Sequence, residues 1–269
     1  MSLSAIELAR LAADCLDIAQ RGAALALTGF GHRPTISVKS RNDLVTDYDV
    51  ASQRLCIELL EARHPGVPII AEEAARSKLD AAKAPLVFCI DPIDGTTNFA
   101  QGHPFWCVSI GVLAKGKPVG GAVVAPSLSM SWHGFVHASR AELVKNGEPR
   151  RVSETASLAQ AVLATGFPPV RDRAPENNFD SFIAVKKAAR AVRRCGSAAI
   201  DLCFVADGTY DGYWERRLHL WDCAAGGAFV LAGGGRITSL DGGEPHYEAG
   251  HIVATNGHFH DELVRVIGA

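Results

Sequence analysis

Along the first twenty residues Leu8, Leu11, Ala12, Cys15 and Ala19 recur at helical spacing, while Glu7, Arg10, Asp14 and Asp17 fall off that stripe. The chain therefore opens on a long amphipathic helix that packs on a sheet. A second helix is expected from about Val50 to Arg63, with Asp49 as its N-cap or first-turn residue and His64-Pro65-Gly66 ending it. Val67 to Ala71 and Leu86 to Ile90 read as short strands, the second entering the turn Asp91-Pro92-Ile93-Asp94-Gly95. From Cys107 to Val136 the apolar positions alternate, in the stretches Val108 to Val112, Val119 to Val124 and Met130 to Val136. Lys-Gly-Lys-Pro and Pro-Ser turns separate them, so an antiparallel meander is expected. Asn146-Gly147-Glu148-Pro149 is a further turn and the expected seam between an N-terminal α+β part, 1–150, and a C-terminal α/β part, 151–269. The second part reads as a strand at Ala161 to Thr165 and helices at Phe179 to Arg190, Ser197 to Ala206 and Trp221 to Ala232.

Composition narrows the class. With 269 residues, 48% hydrophobic and 21% charged, the chain can bury a substantial core without staples. A formal net charge of −2 provides no global positive field for nucleic acid or anionic lipid. The seven cysteines are scattered, with no C-x-x-C pair, and read as buried reduced thiols. No stretch approaches the roughly 20 apolar residues of a membrane span, and acidic residues interrupt the N-terminal segment. A cytoplasmic address is expected.

The strongest chemical signal is Asp91-Pro92-Ile93-Asp94-Gly95-Thr96-Thr97-Asn98-Phe99. A carboxylate at a strand end and another in the following turn can converge on one point, and hard oxygen donors suit Mg²⁺ rather than zinc or copper. If a helix begins after Gly95, the amides of Gly95 and Thr96 can receive a phosphate oxygen. A capped turn with two solvated acids is the bland alternative. Glu72, at the end of the apolar run Ile69-Ile70-Ala71, is a candidate ligand, although many strands end in surface acids. Asp222, among apolar and small residues in Trp221-Asp222-Cys223-Ala224-Ala225-Gly226, is costly to bury unless paired, capped or ligated. Asp43-Leu44-Val45-Thr46-Asp47-Tyr48-Asp49 adds three acids ahead of a helix, and Asp49 with the Thr96 hydroxyl can orient and deprotonate a metal-activated water.

These blocks, with Lys39 ahead of them and Arg194-Cys195-Gly196-Ser197-Ala198-Ala199, Tyr213-Trp214-Glu215 and Ala254-Thr255-Asn256-Gly257 after them, stand in the order of the inositol monophosphatase family, which the chain resembles over essentially its whole length. The resemblance implies a layered αβαβα sandwich and Mg²⁺-dependent, lithium-sensitive hydrolysis of a small phosphate monoester, with two or three ions per site. It implies that Glu72, Asp91 and the Ile93 carbonyl hold one ion and that Asp91, Asp94 and Asp222 hold a second. Glu72 would also help anchor a third, whose water Thr96 and Asp49 activate. Gly95 and Thr96 would bind phosphate, and Glu215 with the backbone of Gly196, Ser197 and Ala198 would contact substrate hydroxyls. A homodimer is consistent with such a fold.

The chain departs from the family pattern in having Ala71 before the acidic pair and Arg216-Arg217 directly after Glu215. A basic wall there favours a second anionic group or an alcohol other than inositol. Inositol monophosphate is thus the first substrate to consider, with histidinol phosphate, fructose 1,6-bisphosphate or a 3′-phosphonucleotide as rivals on the same site. A rival of another class is a regulatory protein that binds RNA or the transcription machinery through the basic stretch Lys186 to Arg194. That stretch reads otherwise as a wet helix face. His133 and His137 belong to a strand rather than a metal motif, Gly233-Gly234-Gly235 is a loop, and His258 and His260 read as solvated or capping residues.

Overall fold

The structure, a computed structural model, describes residues 3–32, 34–40, 43–74, 80–169 and 177–268; of these, the side chains of residues 38–40 and 43, and with them Lys39 and Asp43, lie outside the description. Helix α1 (Ala5–Leu27) starts at Ser4, whose hydroxyl accepts from the Glu7 amide while the Glu7 carboxylate accepts from the Ser4 amide at 2.7 Å. This reciprocal cap satisfies two N–H groups that a helix start leaves open. The expected stripe is buried and continues through Ile18, Gly22, Ala23 and Ala26. A hairpin of β1 (Ile36–Ser40) and β2 (Asp43–Thr46), which the sequence pattern did not announce, leads into α2 (Asp47–Arg63). This helix begins earlier than expected because Thr46 is the N-cap. Asp49 is the third helical residue and accepts from the Thr46 amide at 2.8 Å.

Strands β3 (Ile69–Ala71) and β4 (Val87–Asp94) pair in parallel. Then β5 (Cys107–Ala114), β6 (Lys117–Ala125), β7 (Met130–His137), β8 (Arg140–Lys145) and β9 (Glu148–Pro149) follow in sequence order as the antiparallel meander. Every residue of β4 is buried, as a strand covered on both faces requires. The second sheet has the order β11-β10-β12-β14-β13, from β10 (Val162–Thr165), β11 (Ala191–Arg193), β12 (Gly212–Glu215), β13 (Arg236–Thr238) and β14 (Ile252–Thr255). The short helix α3 (Thr96–Ala100) follows β4, and α4 (Phe179–Ala188), α5 (Ala198–Ala206), α6 (Leu220–Ala232) and α7 (His260–Ile267) complete the described elements. Helices α1 and α2 cover the first sheet, α5 and α6 fill the space between the sheets, and α4 and α7 cover the far face of the second. The result is the αβαβα sandwich.

The middle helical layer depends on small residues. A Cβ on Gly111 of β5 would lie 2.4 Å from the Ala224 Cβ, and one on Gly226 would lie 2.4 Å from the Leu202 Cβ. The run Ala224-Ala225-Gly226-Gly227 thus lets α6 lie directly on the first sheet and against α5, which presents the start of α6 to the acidic end of β4. Among the described residues no helix is long and apolar enough to cross a membrane.

Two expectations need correction. The basic stretch 186–194 is not one helix face: α4 ends at Ala188, and residues 191–193 form the edge strand β11, whose backbone pairs with β10. His260 is neither solvated nor a cap. It is buried, with Nδ1 2.9 Å from Thr255 Oγ1 and Nε2 2.8 Å from Thr238 Oγ1. Since the Thr238 hydroxyl donates to the Ser239 carbonyl, Nε2 must donate to Thr238, and Nδ1 accepts from Thr255. The ring is held neutral, and burial pushes its pKa down to about 4. The unfolded chain takes up this proton near pH 6.5 and the folded chain only near pH 4, so the stabilisation is complete above pH 6.5 and lost as pH falls. Urea unfolding of the parent chain and His260→Gln at pH 7 and pH 4.5 should show the parent losing roughly 2 kcal/mol more than the variant over that interval. Equal losses would show that His260 does not couple to stability.

Candidate active site

The site grows from the end of β4. Residues three apart on a regular strand point to opposite faces, yet Asp91 pairs with Ser109 and Asp94 with Cys107, positions two apart on β5 and hence on one face. The register shift between Asp91 and Asp94 makes this possible. The segment contains Pro92, which has no amide to give to the ladder. The bulge therefore turns both carboxylates to the same side. Parallel pairing of Ala71 with Ile90 then sets Glu72 beside Asp91, and the Glu72 amide donates to the Ile90 carbonyl at 3.2 Å. Gly95 follows with φ of 95°, a left-handed conformation open to glycine, and a Cβ there would come within 2.9 Å of the Phe105 carbonyl oxygen.

From the other side α5 and α6 present their N-termini. Ser197 caps α5 and accepts from the Ile200 amide, while its hydroxyl donates to Asp94 Oδ2 at 2.7 Å. The Ala199 amide donates to the same oxygen at 2.6 Å. Asp222, in the first turn of α6, accepts from the His219 amide at 2.7 Å through Oδ2, and Asp91 Oδ1 accepts from the Ile93 amide at 3.1 Å. Helix N-termini are suited to such carboxylates. Asn98 joins the two halves, donating to the carbonyls of Phe105 at 2.7 Å and Cys195 at 2.9 Å.

Asp91, Asp94 and Asp222 form one electrostatic cluster. Burial, followed by the charges of Glu72, Asp94, Asp222 and Asp49, drives the Asp91 carboxyl well above the usual range. Burial and then Asp94 do the same to Asp222, against the His219 amide. Burial raises Asp94 too, opposed by its bonds to Ser197, Ala199 and Ala198 and by Arg194. Asp49 lies behind the cluster, buried, with Thr96 Oγ1 3.1 Å from its Oδ1; the same hydroxyl is 3.0 Å from the Ile93 carbonyl. Burial pushes Asp49 up to about 6, against the hydrogen bonds from Thr46 and Thr96.

In chemistry this donor set fits a hard divalent cation, being composed of oxygen and carrying more negative charge than a buried site tolerates alone. The side chains do not form a ready-made cage: among the described residues no three of His, Cys, Asp or Glu close on a point tightly enough to hold an ion as placed. One oxygen each of Asp91, Asp94 and Asp222 is turned to a protein donor instead.

Beside the cluster lies a cavity of about 190 Å³, lined by Asp94 and Asp222, by Gly196, Ser197 and Ala198, and by Arg194, Asp201 and Glu215 among others. Glu215 accepts from the Tyr213 hydroxyl, and burial pushes its pKa up to about 7. Arg216 and Arg217 do not form the wall expected of them. The Arg216 guanidinium donates to Ser181 Oγ at 3.3 Å, Arg217 is exposed, and neither lines the cavity. The basic member is Arg194. A larger cavity of about 550 Å³, near Pro118, Leu220 and Tyr247, contains none of the clustered carboxylates. Asp201, Asn98 and the Ser197 contact to Asp94 were not singled out from sequence. For Asp201 a signal existed, a lone acid in the apolar run Ala198-Ala199-Ile200-Asp201-Leu202-Cys203-Phe204.

Two stacked sheets with a buried acidic pocket at the end of β4 define a class of layered α/β hydrolytic folds. Comparison with known proteins identifies the group: the profile of the Inositol monophosphatase family matches residues 8–268, and the chain belongs to that family of phosphoric monoester hydrolases. It is 39% identical over 241 residues to an inositol-1-monophosphatase of Synechocystis, covering 89% of this chain and 82% of the relative. It is 37% identical over 232 residues to a protein of Pasteurella multocida named Nus factor SuhB, covering 86% and 85%. The solved inositol monophosphatase of Anabaena superimposes with a TM-score of 0.87 at 33% identity, covering 97% of this chain and 96% of the other.

The cluster predicts a stability effect. In chelator, Asp222→Asn should raise the unfolding midpoint by about 2–4 °C, because it removes a charge repelled by Asp94 and Glu72 while keeping an acceptor for the His219 amide. A lower midpoint in a thermal melt would contradict the repulsion.

Proposed function

We propose that the chain hydrolyses a small phosphate monoester, inositol monophosphate first among the candidates, in a Mg²⁺-dependent reaction at the acidic end of β4. The observation that supports this best is the raised, mutually repelling set Asp91, Asp94 and Asp222 beside a small cavity. In this reading Glu72, Asp91, Asp94, Asp222 and the Ile93 carbonyl would hold two or three Mg²⁺ ions, which would supply Lewis-acid stabilisation of the phosphoryl oxygens and acidify an attacking water. Thr96, whose hydroxyl donates to Asp49, would orient the attacking water, and Asp49, raised to about 6 by burial, would serve as the proton acceptor. The amides of Gly95 and Thr96 receive the phosphate. The cavity bounded by Gly196, Ser197, Ala198 and Glu215 receives the leaving alcohol. No covalent enzyme intermediate is required.

The division into parts 1–150 and 151–269 fits this arrangement, the first giving Asp94 and the second Asp222 and the rest of the alcohol pocket. We place the protein in the cytoplasm, in keeping with its free cysteines, and infer lithium sensitivity and a homodimer. Exposed Phe179 and Ile183, one turn apart on α4, support the dimer. The name Nus factor on several relatives favours a second role beside hydrolysis, though the basic stretch here is split between α4 and β11.

A panel of inositol 1-phosphate, histidinol phosphate, fructose 1,6-bisphosphate and a 3′-phosphonucleotide, assayed for phosphate release with Mg²⁺ and with EDTA, tests the reading. Inositol 1-phosphate should be turned over fastest, with release abolished by EDTA. Asp94→Asn should lower kcat by about 100-fold or more, as losing a group that orients transition-state charge does. Absence of Mg²⁺-dependent turnover across the panel would defeat the assignment.

A further inference from the structure

The pocket holds a carboxylate that the scheme above does not use. Asp201 lies on α5, is 2% exposed, and lines the cavity shared by Asp94, Glu215 and Asp222. Its Oδ1 is buried without a hydrogen-bond partner. Leaving such an acceptor unmet in the interior is costly, so a protein retains it where something else completes the bond. The neighbouring carboxylate is already engaged, since Glu215 accepts from Tyr213. The Ser197 hydroxyl is likewise committed to Asp94. Asp201 thus brings to the wall of this cavity a carboxyl whose Oδ1 no protein group satisfies.

We propose that Asp201 reads a hydroxyl of the leaving alcohol by accepting its hydrogen bond, and so selects polyol phosphates. This deepens the phosphatase reading and rests on it. Three features agree. The cavity, about 190 Å³, suits one small ring or a short polyol rather than a nucleoside. Its lining holds Asp201 and Glu215 and, of the described arginines, Arg194 alone. That removes the case for a bisphosphate made from Arg216 and Arg217, which lie outside the cavity. Finally, Glu215 keeps its place because residue 166 has no side chain: a Cβ there would sit 2.2 Å from both carboxylate oxygens. Gly166 thus leaves the alcohol site bounded by two carboxylates on adjacent elements, β12 and α5.

The test compares kcat/KM for inositol 1-phosphate, p-nitrophenyl phosphate and O-phosphoethanolamine in the wild type, Asp201→Leu and Asp201→Asn, with Mg²⁺ present. p-Nitrophenyl phosphate shares the reacting group and offers no hydroxyl. In Asp201→Leu, kcat/KM for inositol 1-phosphate should fall about tenfold or more, mainly through KM, while p-nitrophenyl phosphate changes by less than about threefold. Asp201→Asn, which keeps an acceptor oxygen, should recover most of that loss. Parallel losses on both substrates would make Asp201 a structural residue and overturn the proposal, as would no change on either. A loss confined to O-phosphoethanolamine would assign the pocket to an ammonium group and also overturn it. Should Asp201→Leu fail to melt cooperatively, mono-deoxy-inositol 1-phosphates assayed on the wild type and on Asp201→Ala, which has no acceptor, give the same answer. One deoxy position should cost the wild type about tenfold and the variant less, and a flat series refutes the contact. A wild type inactive on every substrate removes the phosphatase reading itself, whereas an active wild type with unselective variants removes only the role of Asp201.

Discussion

Several carboxylates crowd one region, Asp49, Asp91 and Asp94 buried and Glu72 and Asp222 half-buried, so water screens their charges poorly. That constraint organises the surrounding structure. Asp91 sits in a strand covered on both faces, and its neighbours Glu72, Asp94 and Asp222 all disfavour its ionised form. The protein answers with directed donors: the Ile93 amide for Asp91, Ser197 and Ala199 for Asp94, the His219 amide for Asp222. Each donor comes from the start of a helix or the lip of a bulge, where backbone N–H groups have no ladder partner. Partial satisfaction of this kind leaves a site that a multivalent cation would complete, and it accounts for the concentration of acids at β4, α5 and α6.

Placement of these acids depends on features that are themselves apolar or small. The bulge at Pro92 brings two carboxylates of opposite parity to one face. Gly111 and Gly226 admit α6 at a depth no larger residue would permit. Asn98 then ties the loop after β4 to the carbonyl of Cys195, across 97 residues of sequence. Geometry and electrostatics are therefore set by different residues, and a pocket of this kind is sensitive to substitutions that change no charge.

Much of this was legible beforehand. Helix α1 followed from the periodicity of its buried face, and helices α4, α5 and α6 and the meander from Cys107 from apolar runs set off by turn residues. Asp91, Asp94 and Asp222 stood out as acids inside apolar runs, and the structure gathers them into one interacting set. What escaped notice was contextual. The hairpin β1–β2 has no hydrophobic alternation strong enough to announce it, and β11 to β14 are short strands whose register comes from partners far away in sequence. His260 resembled a surface residue because nothing local indicates that Thr238 and Thr255 converge on its ring. Arg216 and Arg217 looked like pocket residues from their place after Glu215, but the side chain following an inward-facing strand residue points away from the pocket, and Arg216 reaches α4.

Ser197 shows how closely folding and site geometry are joined. Its hydroxyl oxygen accepts from the Ile200 amide, donates to Asp94 and lies 3.6 Å from the Cys107 sulfur. The first turn of α5 cannot fray without releasing Asp94, and Asp94 cannot swing away without stranding the Ala199 amide in that turn. Amide exchange at Ile200 and reorientation of the Asp94 carboxylate should consequently report a single opening event, so the rigidity of the pocket is bounded by how often one helix end comes undone.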